Sequence, residues 1–165
     1  MKENPAENKQ IIVVTGPESS GKTTLVNRLK VEYGIPIVTE FSRTYLEQKV
    51  EHSYEFSDLE IIGKCQNVQE AEAHNSYPLI VCDTDIITID VWAIDVFDRS
   101  IDLPNNHTDQ KHYLLCKPDI PWQPDPLREN PVDRDRLFEL YEHYLKSRNL
   151  SYQIVDKQDR ANFKL

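Results

Sequence analysis

Two glycines, a lysine and two threonines lie in a stretch with the makings of a phosphate site, "GPESSGKTT" at residues 16–24. Gly16 and Gly21 permit backbone angles that a Cβ would obstruct, so successive N–H groups can turn inward around an anion. Lys22 then reaches the β- and γ-phosphates and the Thr23 hydroxyl can ligate magnesium, the pattern G-x-x-x-x-G-K-[ST]. Gly16, Glu18, Ser19, Ser20, Gly21, Lys22, Thr23 and Thr24 are therefore the candidate contacts for a purine nucleoside triphosphate with Mg²⁺. The flanks suit that chemistry. Ile11 to Thr15 is a short β-branched run fit for a strand buried on both faces, and Leu25, Val26 and Leu29 recur at helical spacing, so the anion would meet a helix N-terminus.

Further reactive residues follow other apolar runs. Asp83 ends "LIVCD" and is the candidate magnesium carboxylate, with an N-cap for a helix starting near Thr84 as the plainer alternative. Asp85 is either a substrate contact or a first-turn partner of the helix dipole. Glu40, in "TEFSR", is placed to accept a proton from an attacking hydroxyl; the alternative is a solvated first-turn glutamate paired with Arg43 at a spacing of three. Residues 117–136 hold Pro118, Pro121, Pro124, Pro126 and Pro131 with Arg128, Arg134 and Arg136 after most of them. A stiff loop feeding arginines into a helix suits a lid whose Arg128 or Arg134 spreads transition-state charge. A connection whose arginines pair with Asp125, Glu129, Asp133 or Asp135 is the alternative. Trp122, flanked by prolines in that lid, is the better stacking candidate. Trp92 shares helical spacing with Ile89 and Val96, as a packed residue would, and is the second aromatic candidate for substrate.

The elements that would position these residues alternate. Strands are predicted at 11–15, 35–39, 79–82, 112–116 and 152–155, with helices at about 22–33, 40–49, 57–74, 84–97 and 133–148; Ser57 with Glu60 reads as the start of the third helix. Such alternation implies a parallel sheet covered on both faces, with ligand at the carboxyl ends of the strands. The stretch "DKQDR" after the last strand is a positional candidate for base contacts.

At 165 residues the chain fits one domain, here 10–165, after a polar tail at 1–9. No apolar run is long enough for a membrane span and the N-terminus has no signal-peptide pattern, so a cytoplasmic protein without a membrane partner is expected. The net charge of −9 and the lack of a basic patch argue against nucleic acid as partner. Cys65, Cys82 and Cys116 lack C-x-x-C spacing and read as reduced thiols; His52, His74, His107, His112 and His143 show no ligand spacing.

The blocks "GPESSGKTTL", "EFSRTYL", "CDTDIITIDVW" and "YLLCKPDIPWQPDPLREN", followed by a D-R-x-x-L helix, resemble the ribosylnicotinamide kinase domain of NadR-type NAD-biosynthesis proteins across residues 10–156. The resemblance implies a P-loop nucleoside- and nucleotide-kinase-like three-layer α/β sandwich with a central five-stranded parallel sheet and a lid. It also implies ATP- and Mg²⁺-dependent phosphorylation of the 5'-hydroxyl of nicotinamide riboside, with Glu40, Arg43, Asp85, Trp92 and Trp122 toward that small-molecule substrate. Well-known members are fused to a nicotinamide mononucleotide adenylyltransferase domain. This chain has no H-x-G-H signature, so the kinase step alone is expected of it.

Two other classes compete. A regulatory GTPase needs N-K-x-D and an Asp-x-x-Gly switch; Asn8-Lys9 precedes the first strand without the Asp, and no glycine follows Asp83 at that spacing. A nucleotide-gated interaction module would leave Glu40 and the lid without purpose.

Overall fold

The computed structural model describes residues 9–49 and 53–165. Five strands, β1 (Gln10–Thr15), β2 (Ile37–Val38), β3 (Leu79–Asp83), β4 (Lys111–Cys116) and β5 (Tyr152–Val155), form one sheet. The order is β2-β3-β1-β4-β5 and every pairing is parallel. The helices are α1 (Lys22–Tyr33), α2 (Phe41–Leu46), α3 (Phe56–Ser76), α4 (Ile86–Phe97), α5 (Arg134–Ser147) and α6 (Lys157–Asn162).

Alternation along β1 makes the three layers. Ile11 and Val13 face one way, into a cluster with Ile87 and Val91 of α4 and Tyr141, Tyr144 and Leu145 of α5. Ile12 and Val14 face the other way, against Leu25, Val26 and Leu29 of α1. Both faces of the sheet are thus buried, which explains why β1 reads as a continuous apolar run. Connections leave β1 toward both sides of the sheet, so its carboxyl end is a switch point and the loop after it opens into a crevice.

Several boundaries differ from the sequence reading. Helix α3 starts from Glu55, whose side chain accepts from the Asp58 backbone while the Asp58 side chain accepts from the Glu55 N–H; the capping box sits two residues before Ser57. The second strand shrinks to two residues at the sheet edge. Helix α6 falls in the "DKQDR" stretch, closed by an Asp156/Asp159 capping box. Lys9 donates to the carbonyl oxygens of His74 (2.6 Å) and Asn75 (3.1 Å), so it is anchored; residues 1–8 of the expected tail, and His52, lie outside the described residues. No helix among the described residues is long and apolar enough to cross a membrane.

A buried polar cluster ties the layers together. Lys111, 2 % exposed, places Nζ 2.9 Å from Glu70 Oε1, 2.9 Å from Asp85 Oδ2 and 2.7 Å from Asn105 Oδ1. The Tyr113 hydroxyl donates to Asp85 Oδ2 at 2.8 Å. Burial alone would lower the Lys111 pKa, but the charges of Asp85 and Glu70 outweigh it and raise it. Burial pushes Glu70 well above the usual carboxylate range, against the pull of Lys111.

Candidate active site

The loop between β1 and α1 is bent by its glycines. Gly16 has φ 132°, and a Cβ there would lie 2.7 Å from the Cys116 carbonyl oxygen, so β4 leaves no room for a side chain. Gly21 has φ 82° and opens α1 as its N-cap. Lys22 folds back on this loop, donating to the carbonyl oxygens of Gly16 (2.8 Å) and Pro17 (2.7 Å).

Thr23 and Asp83 meet across the sheet. The Thr23 hydroxyl donates to Asp83 Oδ2 at 2.9 Å, while Asp83 Oδ1 is buried without a hydrogen-bond partner among the described residues. Burial, and then the charge of Glu40, raise the Asp83 pKa. A buried carboxylate oxygen with no donor, beside a hydroxyl and a second carboxylate, fits a hard cation. Among the described residues no group of three or more His, Cys, Asp and Glu could hold a metal, so oxygens from phosphate would have to complete its shell.

The turn after β3 separates the two aspartates. Thr84 has φ 69°, a strained conformation for a β-branched residue. Asp83 is left facing the loop, while Asp85 enters the core as N-cap of α4, accepting from Ile87 N–H at 3.0 Å. Asp85 is fully buried, its other oxygen is taken by Lys111 and Tyr113, and it does not line the cavity. The expectation of a substrate contact is corrected: Asp85 is the cap that Asp83 was alternatively expected to be.

A cavity of about 240 Å³ lies over the loop. Gly16, Glu18, Ser19, Ser20, Gly21, Lys22, Thr23 and Thr24 form one end; Glu40, Arg43 and Trp92 line it with Arg128 from the lid. Glu40 accepts from the Ser42 hydroxyl at 2.7 Å. Arg43 pairs with Asp125 of the lid (3.2 Å) and Glu47 (3.9 Å) rather than with Glu40.

Trp92 and Trp122 exchange their expected places. Trp122 is absent from the cavity wall and lies under the Arg134 guanidinium, 5.8 Å from its ring centre. Arg134 in turn donates to the carbonyl oxygens of Ser19 (2.9 Å) and Ile120 (3.0 Å), bracing the loop from outside the cavity. Trp92 lines the wall with Thr88, Val91 and Asp95. Positions 88, 91, 92 and 95 form one face of α4, so the i−4 and i+3 neighbours of Trp92 were the signal that finds Thr88 and Asp95. Asp95 is paired with Arg136 at 2.7 Å. Tyr141 of α5 closes the floor of the cavity and carried no motif signal.

With this geometry in view, residues 11–162 match the family model described as AAA domain (AAA_28). The chain belongs to the AAA domain family. This AAA domain is 26% identical over 158 residues to the trifunctional NAD biosynthesis/regulator protein NadR of Escherichia coli (strain K12), covering 90% of this chain and 38% of the relative. It is 27% identical to the NadR of Salmonella typhimurium (strain LT2) with the same coverage. It therefore spans under two fifths of the length of the curated relatives that it matches. Among solved structures, a NadR protein in complex with NR aligns with TM-score 0.66 at 20% identity, covering 93% of this chain and 47% of that one. A deoxyadenosine kinase from M. mycoides with bound dATP aligns with TM-score 0.58 at 14% identity, covering 93% and 96%. The expected α/β fold with a five-stranded parallel sheet is the one found, and the resemblance to NadR extends over nearly the whole AAA domain.

Proposed function

We propose that this chain is a small-molecule kinase that uses Mg-ATP to phosphorylate the 5'-hydroxyl of nicotinamide riboside, giving nicotinamide mononucleotide. The observation that carries the reading is the cavity in which the phosphate loop, Glu40 and the aromatic wall at Trp92 face one another. Similarity to NadR supports the choice of acceptor. In the proposed reaction the acceptor oxygen bonds to the γ-phosphorus, the β–γ bridging bond breaks and ADP leaves. Glu40 takes the hydroxyl proton, Lys22 leaves the Gly16 and Pro17 carbonyls for the phosphates, and Arg128 neutralises charge from the lid. Thr23 and Asp83 would hold Mg²⁺, which when bound offsets charge on the phosphate oxygens. Glu40→Gln is expected to lower kcat by about 10²-fold or more with binding of an ATP analogue unchanged. An unaltered kcat would take the general-base role away from it.

The acceptor assignment rests on charge. Nicotinamide riboside carries a permanent pyridinium charge, whereas uridine is neutral. Glu40, Asp95 and Trp92 line the cavity together, while Glu18 and Glu129, also on its wall, are held in lid contacts. At an effective dielectric of about 20 and about 6 Å, one carboxylate favours the cation by roughly 3 kcal/mol, before pairing with Arg136 and screening reduce it. An aromatic face adds about 0.5–2 kcal/mol. The preference for nicotinamide riboside over uridine in kcat/KM is therefore expected to reach about a hundredfold, since roughly 1.4 kcal/mol is tenfold. Trp92→Ala should lose much of it and Trp122→Ala should not. A coupled ADP-release assay over nucleosides with saturating Mg-ATP measures both; uridine or deoxyadenosine turned over as well as nicotinamide riboside would make this a kinase for another nucleoside. ATP hydrolysis that no nucleoside stimulates would instead favour the nucleotide-gated module.

A further inference from the structure

A chain of hydrogen bonds runs from the aromatic wall to the phosphate loop through the lid. Trp92 Nε1 donates to the Tyr54 hydroxyl at 2.9 Å, and that hydroxyl donates to Glu129 Oε2 at 2.7 Å. The backbone N–H groups of Glu129 and Asn130 both donate to Glu18 Oε2, at 3.0 Å each. Helix α4, residues 53–55, the lid and the loop at Glu18 are thus joined end to end by polar contacts.

The geometry of each link is directional. The Tyr54 ring stands edge-on to Trp92, with ring centres 4.8 Å apart, and to Phe97 at 6.1 Å, which fixes where its hydroxyl points. Burial and the Glu129 carboxylate raise the Tyr54 pKa, so the hydroxyl remains a donor at neutral pH. Tyr54 itself does not line the cavity. Two consecutive amides converging on one carboxylate oxygen form a latch, and the Glu129 side chain ties that latch to Tyr54. Other lid contacts, Gln123 N–H to Ser19 Oγ (3.0 Å) and Arg43 to Asp125, reach the loop or the wall separately. Glu129 reaches both.

We infer that Tyr54 and the Glu129 carboxylate are positioning residues that link the Trp92 wall to closure of the lid on Glu18, and so slow the departure of nucleotide from the phosphate loop. This rests on the proposed reading of that loop as the nucleotide site. Loss of one hydrogen bond to a charged acceptor corresponds to roughly a tenfold effect or more, which sets the size of the signal.

The test is stopped-flow dissociation of a fluorescent N-methylanthraniloyl ATP analogue with Mg²⁺ from the full chain. Tyr54→Phe and Glu129→Ala are each expected to speed release about tenfold, and the double variant should be no faster than either alone, because both cut the same relay. Glu129→Gln keeps a carbonyl acceptor for Tyr54 and should stay within about threefold of the unaltered chain. A merely structural role would give additive losses, no rescue by glutamine and a lower melting temperature. Should Tyr54→Phe not fold, Glu129→Ala, at an exposed lid position, carries the test with its glutamine rescue. Release rates unchanged in both single variants overturn the relay. If the variants release the analogue faster while no nucleoside is phosphorylated by the unaltered chain, the reaction assignment falls and the relay stands.

Discussion

Lys22→Ala is expected to lower kcat by at least about 10³-fold with the fold intact, the scale seen when a charged group facing the transferred phosphoryl is removed. In the present conformation the ammonium is satisfied by two carbonyl oxygens of its own loop, Gly16 and Pro17. Those contacts are local and replaceable by water, because Lys22 is only half-buried and lies outside the apolar clusters. Removing the side chain therefore costs little stability. Among the described residues no other lysine lines the cavity; of its arginines, Arg43 is paired with Asp125, and Arg128 already has its own share of the phosphate charge in the proposed reaction, so neither replaces Lys22. A folded Lys22→Ala variant, with an unchanged melting curve and far-ultraviolet circular dichroism, that still released ADP at the native rate would remove the phosphate loop from the reaction. The assay needs saturating nucleotide, so that weakened binding is not mistaken for slower transfer.

What the sequence revealed, and what it hid, follows from the range of the interactions concerned. The phosphate loop was legible because its chemistry is contiguous: glycines at fixed offsets, a lysine, a threonine, and a β-branched run before them. The strands were legible for the same reason, since burial on both faces writes an unbroken apolar run. Asp83 and Asp85 could not be told apart, because what separates them is the positive φ of Thr84 and the presence of Lys111 in the core, 26 residues from Asp85 in the chain. The aromatic candidates were inverted for a related reason. Local context marked Trp92 as packing and Trp122 as free, but α4 presents its Trp92 face to the cavity, and Arg134 covers Trp122. The pairing of Arg43 with the lid's Asp125 rather than Glu40 is likewise a tertiary contact that overrides helical spacing. From the sequence Glu129 reads only as a partner for arginine; its contact with Tyr54 depends on how the lid folds back.

Lys111→Ala is expected to destabilise the fold by about 3 kcal/mol or more at neutral pH, the range for removing one partner of a buried ion pair. One cation here serves two carboxylates, Glu70 and Asp85. With it gone, Asp85 keeps the Ile87 N–H and the Tyr113 hydroxyl as donors but loses its counter-charge. Among the described residues Glu70 keeps the weak Cys82 thiol contact at 4.0 Å. Glu70 can escape by taking up a proton, since burial already raises its pKa beside the lysine, and losing Lys111 removes a group that lowers it. That gives the deficit a pH dependence whose sign is fixed. Between the ordinary carboxylate pKa and the raised folded value, the folded variant binds more protons than the unfolded chain, so its stability falls as pH rises. Below about pH 7 Glu70 is protonated in both proteins and the gap between them reflects the lost Lys111–Asp85 pair; it should widen as pH rises past about 7, where Glu70 ionises beside Lys111 in the unaltered protein and resists doing so in Lys111→Ala. Glu70→Gln added to Lys111→Ala should flatten the dependence and recover part of the loss, because one buried charge is removed with the other. Urea denaturation at several pH values reads both effects. A gap that does not vary with pH would mean that the two carboxylates stay solvated when the lysine is gone, and would refute the account of the cluster as a closed electrostatic unit holding the N-terminus of α4 in place behind the cavity wall.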